Sequence, residues 1–137
     1  MSETINLSVP QTTSQIDSSD PVDQLALLAA EAADDRKAGD IVLIKVGDVS
    51  TIAEYFVMAT GYSKVQVRAI ANAIEEKIEE TLNRKPLRNE GLSEGSWACL
   101  DYGDVMVHVQ MPNEREFYGL EAFWGHAARI PFVPKAA

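Results

Sequence analysis

The sequence predicts an α/β protein, a two-layer domain in which helices flank a mixed sheet of about five strands. Two observations carry this prediction. β-prone apolar runs alternate with stretches of helical periodicity, in the order αβ(α)βα followed by three strands and a helix. The early runs, Ile41–Val46 and Tyr55–Thr60, are apolar almost throughout, as in strands that are buried on both faces. The early βαβ unit is expected to be parallel and right-handed.

The first helix is predicted to begin at Pro21. Asp20 is a good capping residue, and proline fits the first helical position, where no N–H donor is needed. Apolar side chains then recur on one face, and the helix is expected to end at Gly39. The preceding residues, 1–20, are rich in Ser, Thr and Gln and contain no Lys or Arg. That composition predicts a disordered N-terminal tail.

A second, longer helix is predicted after the turn at residues 61–63. Ser63 and Gln66 have the spacing of a capping box, and an apolar stripe follows over Val67–Leu82. The turn also resembles a phosphate-cradling loop, because a helix N-terminus offers free N–H groups to an anion. A dinucleotide site needs three spaced glycines, however, and a hydrolase elbow needs glycine where Val65 stands. A capped tight turn is therefore the favoured interpretation.

The late part of the chain is predicted to form a hairpin. Two β-prone runs, Trp97–Tyr102 and Val105–Met111, flank a tight turn at Gly103, and so short a turn implies antiparallel strands. A short strand, Leu87–Glu90, is predicted before them. Side-chain alternation gives the first run two faces. Their members are Trp97, Cys99 and Asp101 on one face, and Ala98, Leu100 and Tyr102 on the other. One face must cover the core, and the sequence leaves open which.

A final helix is predicted from Pro112, and helical spacing would bury the rings of Phe117 and Trp124. The residues after it, 127–137, include two prolines and are expected to form a loose tail. With residues 21–126 as the folded part, the 137-residue chain is expected to be a single domain.

The chain is acidic, with a net charge of −9 and a pI of about 4.6. Sequence-independent binding to nucleic acid needs clustered Lys and Arg. The negative charge therefore argues against a protein that binds nucleic acid independently of sequence, and it favours a basic protein partner. The alternative is that the acidity only keeps the protein soluble. The sequence shows no apolar run long enough to span a bilayer and no secretory or transit signal. Its single Cys99 suits a reducing compartment, so a cytoplasmic location is expected.

Polar residues of the hairpin offer weak signals for catalysis or metal binding. Asp101 and Asp104 could chelate a divalent cation, yet they bracket the turn, and bonding its backbone is their favoured role. His108 would need further His or Cys ligands at regular spacing to hold zinc. It could also act as a general base, but a hydrogen-bonded structural histidine is the favoured interpretation. No cofactor and no metal are predicted.

The late aromatic residues suit either core packing or the anchors of an interface, and Trp97 fits both.

Six segments of the chain carry a resemblance to a known family. They are DIVLIKV (40–46), STIAEYFVMATGYS (50–63), VRAIANAI (67–74), EG (90–91), WACLDYGDVMVHV (97–109) and REFYGLEAFW (115–124). Together, from about Leu25 to Trp124, they resemble the ribosomal silencing factor family, also called RsfS, YbeB or Iojap.

The resemblance implies a translation repressor that binds the large ribosomal subunit through its fourteenth protein and blocks joining of the small subunit under nutrient limitation. It implies a nucleotidyltransferase-like fold, a steric mechanism without catalysis, and pairing of two copies as a homodimer. The alternative is a degenerate nucleotide-binding enzyme, for which the metal-holding Asp-x-Asp pair is missing. The partner-binding residues that the resemblance implies are Trp97, Leu100, Asp101, Tyr102, Asp104 and His108 of the hairpin, and Arg115, Tyr118 and Glu121 of the last helix.

Overall fold

The computed structural model describes residues 9–134. Its helices are α1 (Pro21–Asp35), α2 (Lys64–Leu82), α3 (Pro112–Tyr118) and α4 (Leu120–Phe123). Its strands are β1 (Gly39–Lys45), β2 (Tyr55–Thr60), β3 (Arg88–Glu90), β4 (Trp97–Asp101), β5 (Val105–Gln110) and β6 (Ala128–Pro131). Within this range the strands form one mixed sheet in the order β3-β4-β5-β2-β1-β6. The predicted α/β class, with helices flanking a mixed sheet, is confirmed.

The pairing of the first two strands differs from the prediction. β1 and β2 are antiparallel neighbours, with Leu43 opposite Val57, so they do not form a parallel βαβ unit. The reason is the connection over residues 46–54, which holds only one turn of 3₁₀ helix. A parallel crossover needs a dozen or more residues. The parallel pair in the described sheet is β2 with β5, where Val57 lies opposite Val107.

The sheet has a sixth strand that the sequence did not predict. β6 lies within the supposed loose tail and pairs antiparallel with β1, where Ile130 lies opposite Leu43. Ile130 is fully buried, and this burial holds the segment on the sheet. Pro131 is tolerated because β6 is the edge strand, where a missing N–H donor breaks no inner ladder. The last residues of the predicted tail, 135–137, lie outside the described residues.

The N-terminal segment is also more ordered than predicted. Residues 1–8 of the supposed tail lie outside the described residues, but a 3₁₀ turn spans Thr13–Gln15. The Thr13 hydroxyl donates to the carbonyl of Val133 at 3.0 Å and accepts the Val133 N–H at 2.7 Å. Ile16 is only 3% exposed and joins the main core. The polar composition predicted disorder, but Thr13 and Ile16 hold the segment in place by contacts with residues that are distant in sequence.

The predicted starts of the two long helices are confirmed. The Asp20 carboxylate accepts the Val22 N–H at 2.8 Å at the start of α1. At α2, the Ser63 hydroxyl accepts the Gln66 N–H at 3.0 Å, and the Gln66 amide oxygen accepts the Tyr62 N–H at 2.7 Å. The N–H groups of this turn thus serve as capping donors within the chain. The capped-turn interpretation of residues 61–63 is confirmed.

α1 and α2 cover one face of the sheet and enclose the main core. Its large, fully buried side chains include Leu25, Leu43, Ile70, Ile74, Ile78, Leu100 and Ile130. The opposite face carries a smaller apolar cluster built on β1 and β2, namely Val42, Ile44, Phe56 and Met58. Leu120 and Trp124 of the α4 region pack on that cluster. The two short helices leave the β4 side of this second face half exposed.

The predicted last helix is broken into α3 and α4 at Gly119. This residue has a φ of 56°, the left-handed conformation that glycine adopts at little cost. The break redirects the chain, so residues before and after Gly119 no longer share one helical face. Phe117 is 80% exposed, and its predicted burial is wrong. Trp124 is partly buried as predicted, with its ring edge against Phe56 at 5.7 Å between centroids.

Candidate partner-binding surface

The structure decides which face of β4 covers the core. Ala98 and Leu100 point towards α1 and α2 and are fully buried. Trp97, Cys99 and Asp101 point to the other face and are half-buried. We call this second face, together with the rings of α3 and α4 beside it, the aromatic face.

Leu100 and Tyr102 are therefore not on the surface that the resemblance implied. Leu100 is 0% exposed and Tyr102 is 2% exposed, and both belong to the core beneath the helices. Strand alternation places their side chains on the inner face, with Ala98. Two of the nine predicted contact residues are corrected in this way, because a fully buried side chain cannot contact a partner on the folded protein.

His108 lies on the aromatic face but beneath its surface. It is 6% exposed, and its ring lies 5.0 Å from that of Phe56 between centroids. Its Nδ1 accepts a hydrogen bond of 3.1 Å from the indole Nε1 of Trp97. Burial lowers the pKa of His108 to about 4, with the Asp101 charge opposing the shift, so the ring is neutral at pH 7. His108 thus orients Trp97 and is not itself an exposed contact residue.

The exposed part of the aromatic face is a cluster of rings. Tyr118 lies against Trp97 at 4.8 Å and against Phe117 at 5.0 Å, measured between ring centroids. Phe123 packs edge-on against Trp124 at 5.1 Å. Phe117, Tyr118 and Phe123 are 80%, 53% and 74% exposed. Exposed rings grouped in this way are typical of binding surfaces. Sequence reasoning missed Phe117 and Phe123 because it assumed one continuous helix; Gly119 is the signal that could have revealed the break.

Arg115 and Glu121, which the resemblance implies as contact residues, bond to each other within the chain. The Arg115 guanidinium donates to both Glu121 carboxylate oxygens at 2.8 and 3.0 Å, and to the Thr60 hydroxyl at 2.7 Å. Arg129 of β6 adds a bond of 2.9 Å to Glu121. The hydrogen bond from Arg115 is the main reason that the pKa of Glu121 is lowered. This network ties α3 and α4 to β2 and β6 and so holds the ring cluster in place.

The two aspartates of the hairpin turn do not converge. Asp101 accepts the Gly103 N–H at 2.8 Å, which is the turn-bonding role favoured from sequence. Asp104 instead accepts two hydrogen bonds from the Arg84 guanidinium, at 3.1 and 3.2 Å. Over residues 9–134, the structure shows no group of three or more His, Cys, Asp and Glu side chains placed to hold a metal ion. Asp104 is thus engaged at the turn, away from the ring cluster.

The sequence matches a family model described as "Ribosomal silencing factor during starvation" over residues 19–136. The chain belongs to the ribosomal silencing factor family. The silencing factor RsfS of Bacillus subtilis is 40% identical over 100 residues, which are 73% of this chain and 84% of that protein. The resemblance inferred from the sequence segments is confirmed, and the family assignment supports a ribosome-silencing role.

Solved structures agree with the family assignment. A crystal structure of a Chromobacterium violaceum protein superposes with a TM-score of 0.74 at 35% identity, covering 77% of this chain and 88% of that one. A Bacillus halodurans crystal structure gives a TM-score of 0.66 at 36% identity, covering 74% and 93%. The ring cluster lies inside the family match, whereas Thr13 and Ile16 precede it. In the described part of the chain, no helix is both long and apolar enough to cross a bilayer.

Proposed function

We propose that this chain represses translation by binding the large ribosomal subunit and sterically blocking its association with the small subunit, under nutrient limitation and in the cytoplasm. The observation that carries the proposal is the cluster of exposed rings on a sheet face that its own helices leave open. Because the chain belongs to the ribosomal silencing factor family, the ribosome is the partner to test. The mechanism requires occupation of a surface and no bond breaking.

The proposed partner is a basic protein of the inter-subunit face, the fourteenth protein of the large subunit. The net charge of −9 supports a positively charged partner, because opposite charges speed encounter and disfavour wrong orientations. The rings would supply most of the affinity. Aromatic anchors bury large areas on binding, and truncating one at the centre of an interface typically costs about 2 kcal/mol or more.

Of the predicted contact residues, Trp97 and Tyr118 remain on the accessible part of this surface, and Phe117 and Phe123 join them. Asp101, like Glu121, is largely covered and is bonded within the chain. The binding surface that we propose is therefore the aromatic face. Arg115, Glu121 and His108 support it from beneath, through the bonds described above.

The proposal can be tested by co-sedimentation on sucrose gradients and by a subunit-association assay with purified bacterial subunits. We expect the wild-type chain to travel with large subunits and to reduce the yield of complete ribosomes. Phe117→Ala and Phe123→Ala should each weaken binding by about 2 kcal/mol, or roughly thirtyfold in affinity, if they lie at the centre of the contact.

The matched control is Val65→Ala, which also truncates an exposed apolar side chain, 72% exposed, but in the first turn of α2. It should bind as the wild type does. If the wild-type chain stays at the top of the gradient, the ribosomal role is wrong. If both Phe variants bind like Val65→Ala, the ribosomal role stands, and the aromatic face is not the contact surface.

A further inference from the structure

A cavity of about 290 Å³ opens on the aromatic face next to the ring cluster, and we call it the socket. Its lining residues are Glu90, Gly91, Trp97, Cys99 and His108. Three of them form one row across the sheet, since Glu90 of β3 lies opposite Cys99 of β4, and Cys99 lies opposite His108 of β5. Directly paired residues project from the same face of a sheet, so this row runs from the buried His108, across Cys99, to the exposed Glu90 at the rim of the socket.

The walls of the socket are fixed by backbone and ring geometry. Gly91 has a φ of 87°, and a Cβ there would collide with the carbonyl oxygen of Trp97, so this wall carries no side chain. The Trp97 indole forms another wall. It is held between the His108 ring, to which it donates its N–H, and the Tyr118 ring. The cavity therefore has a flat aromatic side and is open to solvent.

Two acidic side chains and one basic side chain lie near Cys99 of the socket. Burial, followed by the nearby charges of Asp101 and Glu90, raises the pKa of the Cys99 thiol to about 11. Arg88, which pairs with Asp101 at 3.4 Å, opposes this shift without cancelling it. Glu90 itself is exposed at the rim. A phosphate group would be repelled here, whereas a cation with an apolar stem would find both an acidic rim and a ring wall.

We infer that the socket receives a lysine or arginine side chain of the large-subunit protein to which the chain binds. This inference rests on the proposed function and adds the chemistry of one contact. The aliphatic stem would lie along Trp97, and the cationic head would lie at Glu90 on the rim. Of the two candidate partners on the ribosome, protein and RNA, the acidic rim selects the protein, because RNA presents phosphate.

The first test uses Cys99 as a reporter, since it is the single cysteine of the chain and lines the socket. The protein is incubated with iodoacetamide at mildly alkaline pH, alone and bound to purified large subunits, and alkylation of the Cys99 peptide is followed by mass spectrometry. The raised thiol pKa makes the reaction slow, which allows its rate to be compared. We expect the rate to fall in the complex. A Cys99→Ala variant provides the blank.

The second test changes the charge at the rim. Glu90→Gln should weaken large-subunit binding by about threefold to tenfold and reduce its salt dependence, as expected for a charge pair partly withdrawn from water. Glu80→Gln on the exposed side of α2 makes the same change in net charge on the other layer and serves as the control. It should bind as the wild type does.

The outcomes separate the inference from the proposed function. If the wild type co-sediments with large subunits while bound Cys99 is alkylated as fast as in the free protein, the socket is not in the contact, and the ribosomal role stands. If Cys99 is protected but Glu90→Gln binds like Glu80→Gln, the occupant is not a basic side chain, and the inference is overturned. If the wild type does not co-sediment at all, the proposed function fails, and this inference fails with it.

Discussion

The indole Nε1 of Trp97 donates a 3.1 Å hydrogen bond to Nδ1 of His108, and this bond joins the buried sheet to the exposed ring cluster. Because Nδ1 accepts, the proton of the neutral imidazole resides on Nε2. The bond directs the Trp97 N–H towards the sheet. His108 is thus the hydrogen-bonded structural histidine that was favoured from the sequence, and it positions the Trp97 ring.

Replacing His108 with alanine should lower the free energy of unfolding by about 2–4 kcal/mol, because it removes a buried ring and leaves the Trp97 N–H without its acceptor. Urea denaturation followed by Trp fluorescence measures the change. His126→Ala is the control, since that side chain is exposed and its loss should change stability by less than about 0.5 kcal/mol. Equal stability of the two variants would contradict the role of His108.

Stability should fall as the pH drops from about 6.5 to about 4. The pKa of His108 is lowered from 6.5 to about 4 in the folded protein, so over this interval the unfolded chain binds a proton that the folded chain does not. The shift corresponds to a loss of ~3 kcal/mol at the acid end of the interval. The measurement is the free energy of unfolding in urea at half-unit pH steps.

His108→Gln isolates this contribution, because it keeps a polar side chain but cannot titrate. The difference between wild type and variant should change with pH between 6.5 and 4 and then level off. Glu121 does not account for the loss of stability at pH values above about 4.5. Its pKa is lowered from 4.5, so its contribution is lost only at more acidic pH. A difference that is constant with pH would show that His108 titrates normally.

Glu121→Gln should loosen α3 and α4 from the sheet. The substitution removes the charge that both Arg115 and Arg129 contact, and it leaves the nearly buried Arg115 guanidinium without its counter-ion. We expect a loss of roughly 1–3 kcal/mol in stability and faster amide hydrogen exchange over residues 112–124. Glu116→Gln, an exposed change in the same segment, should leave both unchanged. Unaltered exchange in Glu121→Gln would contradict the anchoring role.

Thr13→Val should destabilise the fold by about 1–2 kcal/mol. The hydroxyl bonds both backbone groups of Val133, and valine has the shape of threonine but neither hydrogen-bonding function. Thermal or urea unfolding measures the loss, and Ser18→Ala, at an exposed position of the same segment, is the control. If Thr13→Val is as stable as Ser18→Ala, the N-terminal segment contributes nothing measurable through this contact.

The sequence by itself determined the features that depend on neighbours along the chain. The caps at Asp20 and Ser63, the hairpin turn at Gly103 and the long apolar stripe of α2 were all predictable. Helix starts and tight turns are set by hydrogen bonds that reach only two to four residues along the chain. Segments of shared sequence likewise identified the family, because they match residue by residue in order.

Only the tertiary structure decided what depends on segments that are distant in sequence. Alternation gave β4 two faces, and the packing of α1 and α2 selected Leu100 for the core and Trp97 for the aromatic face. Burial of Ile130 on β1 turned a supposed tail into a sixth strand. The resemblance implied Arg115 and Glu121 only as contact residues, and the ion pairs that join them to each other and to Arg129 were found only in the tertiary structure. Local sequence patterns show which interactions a side chain can make. Residues that are distant in sequence decide how far that side chain is buried and which group it bonds.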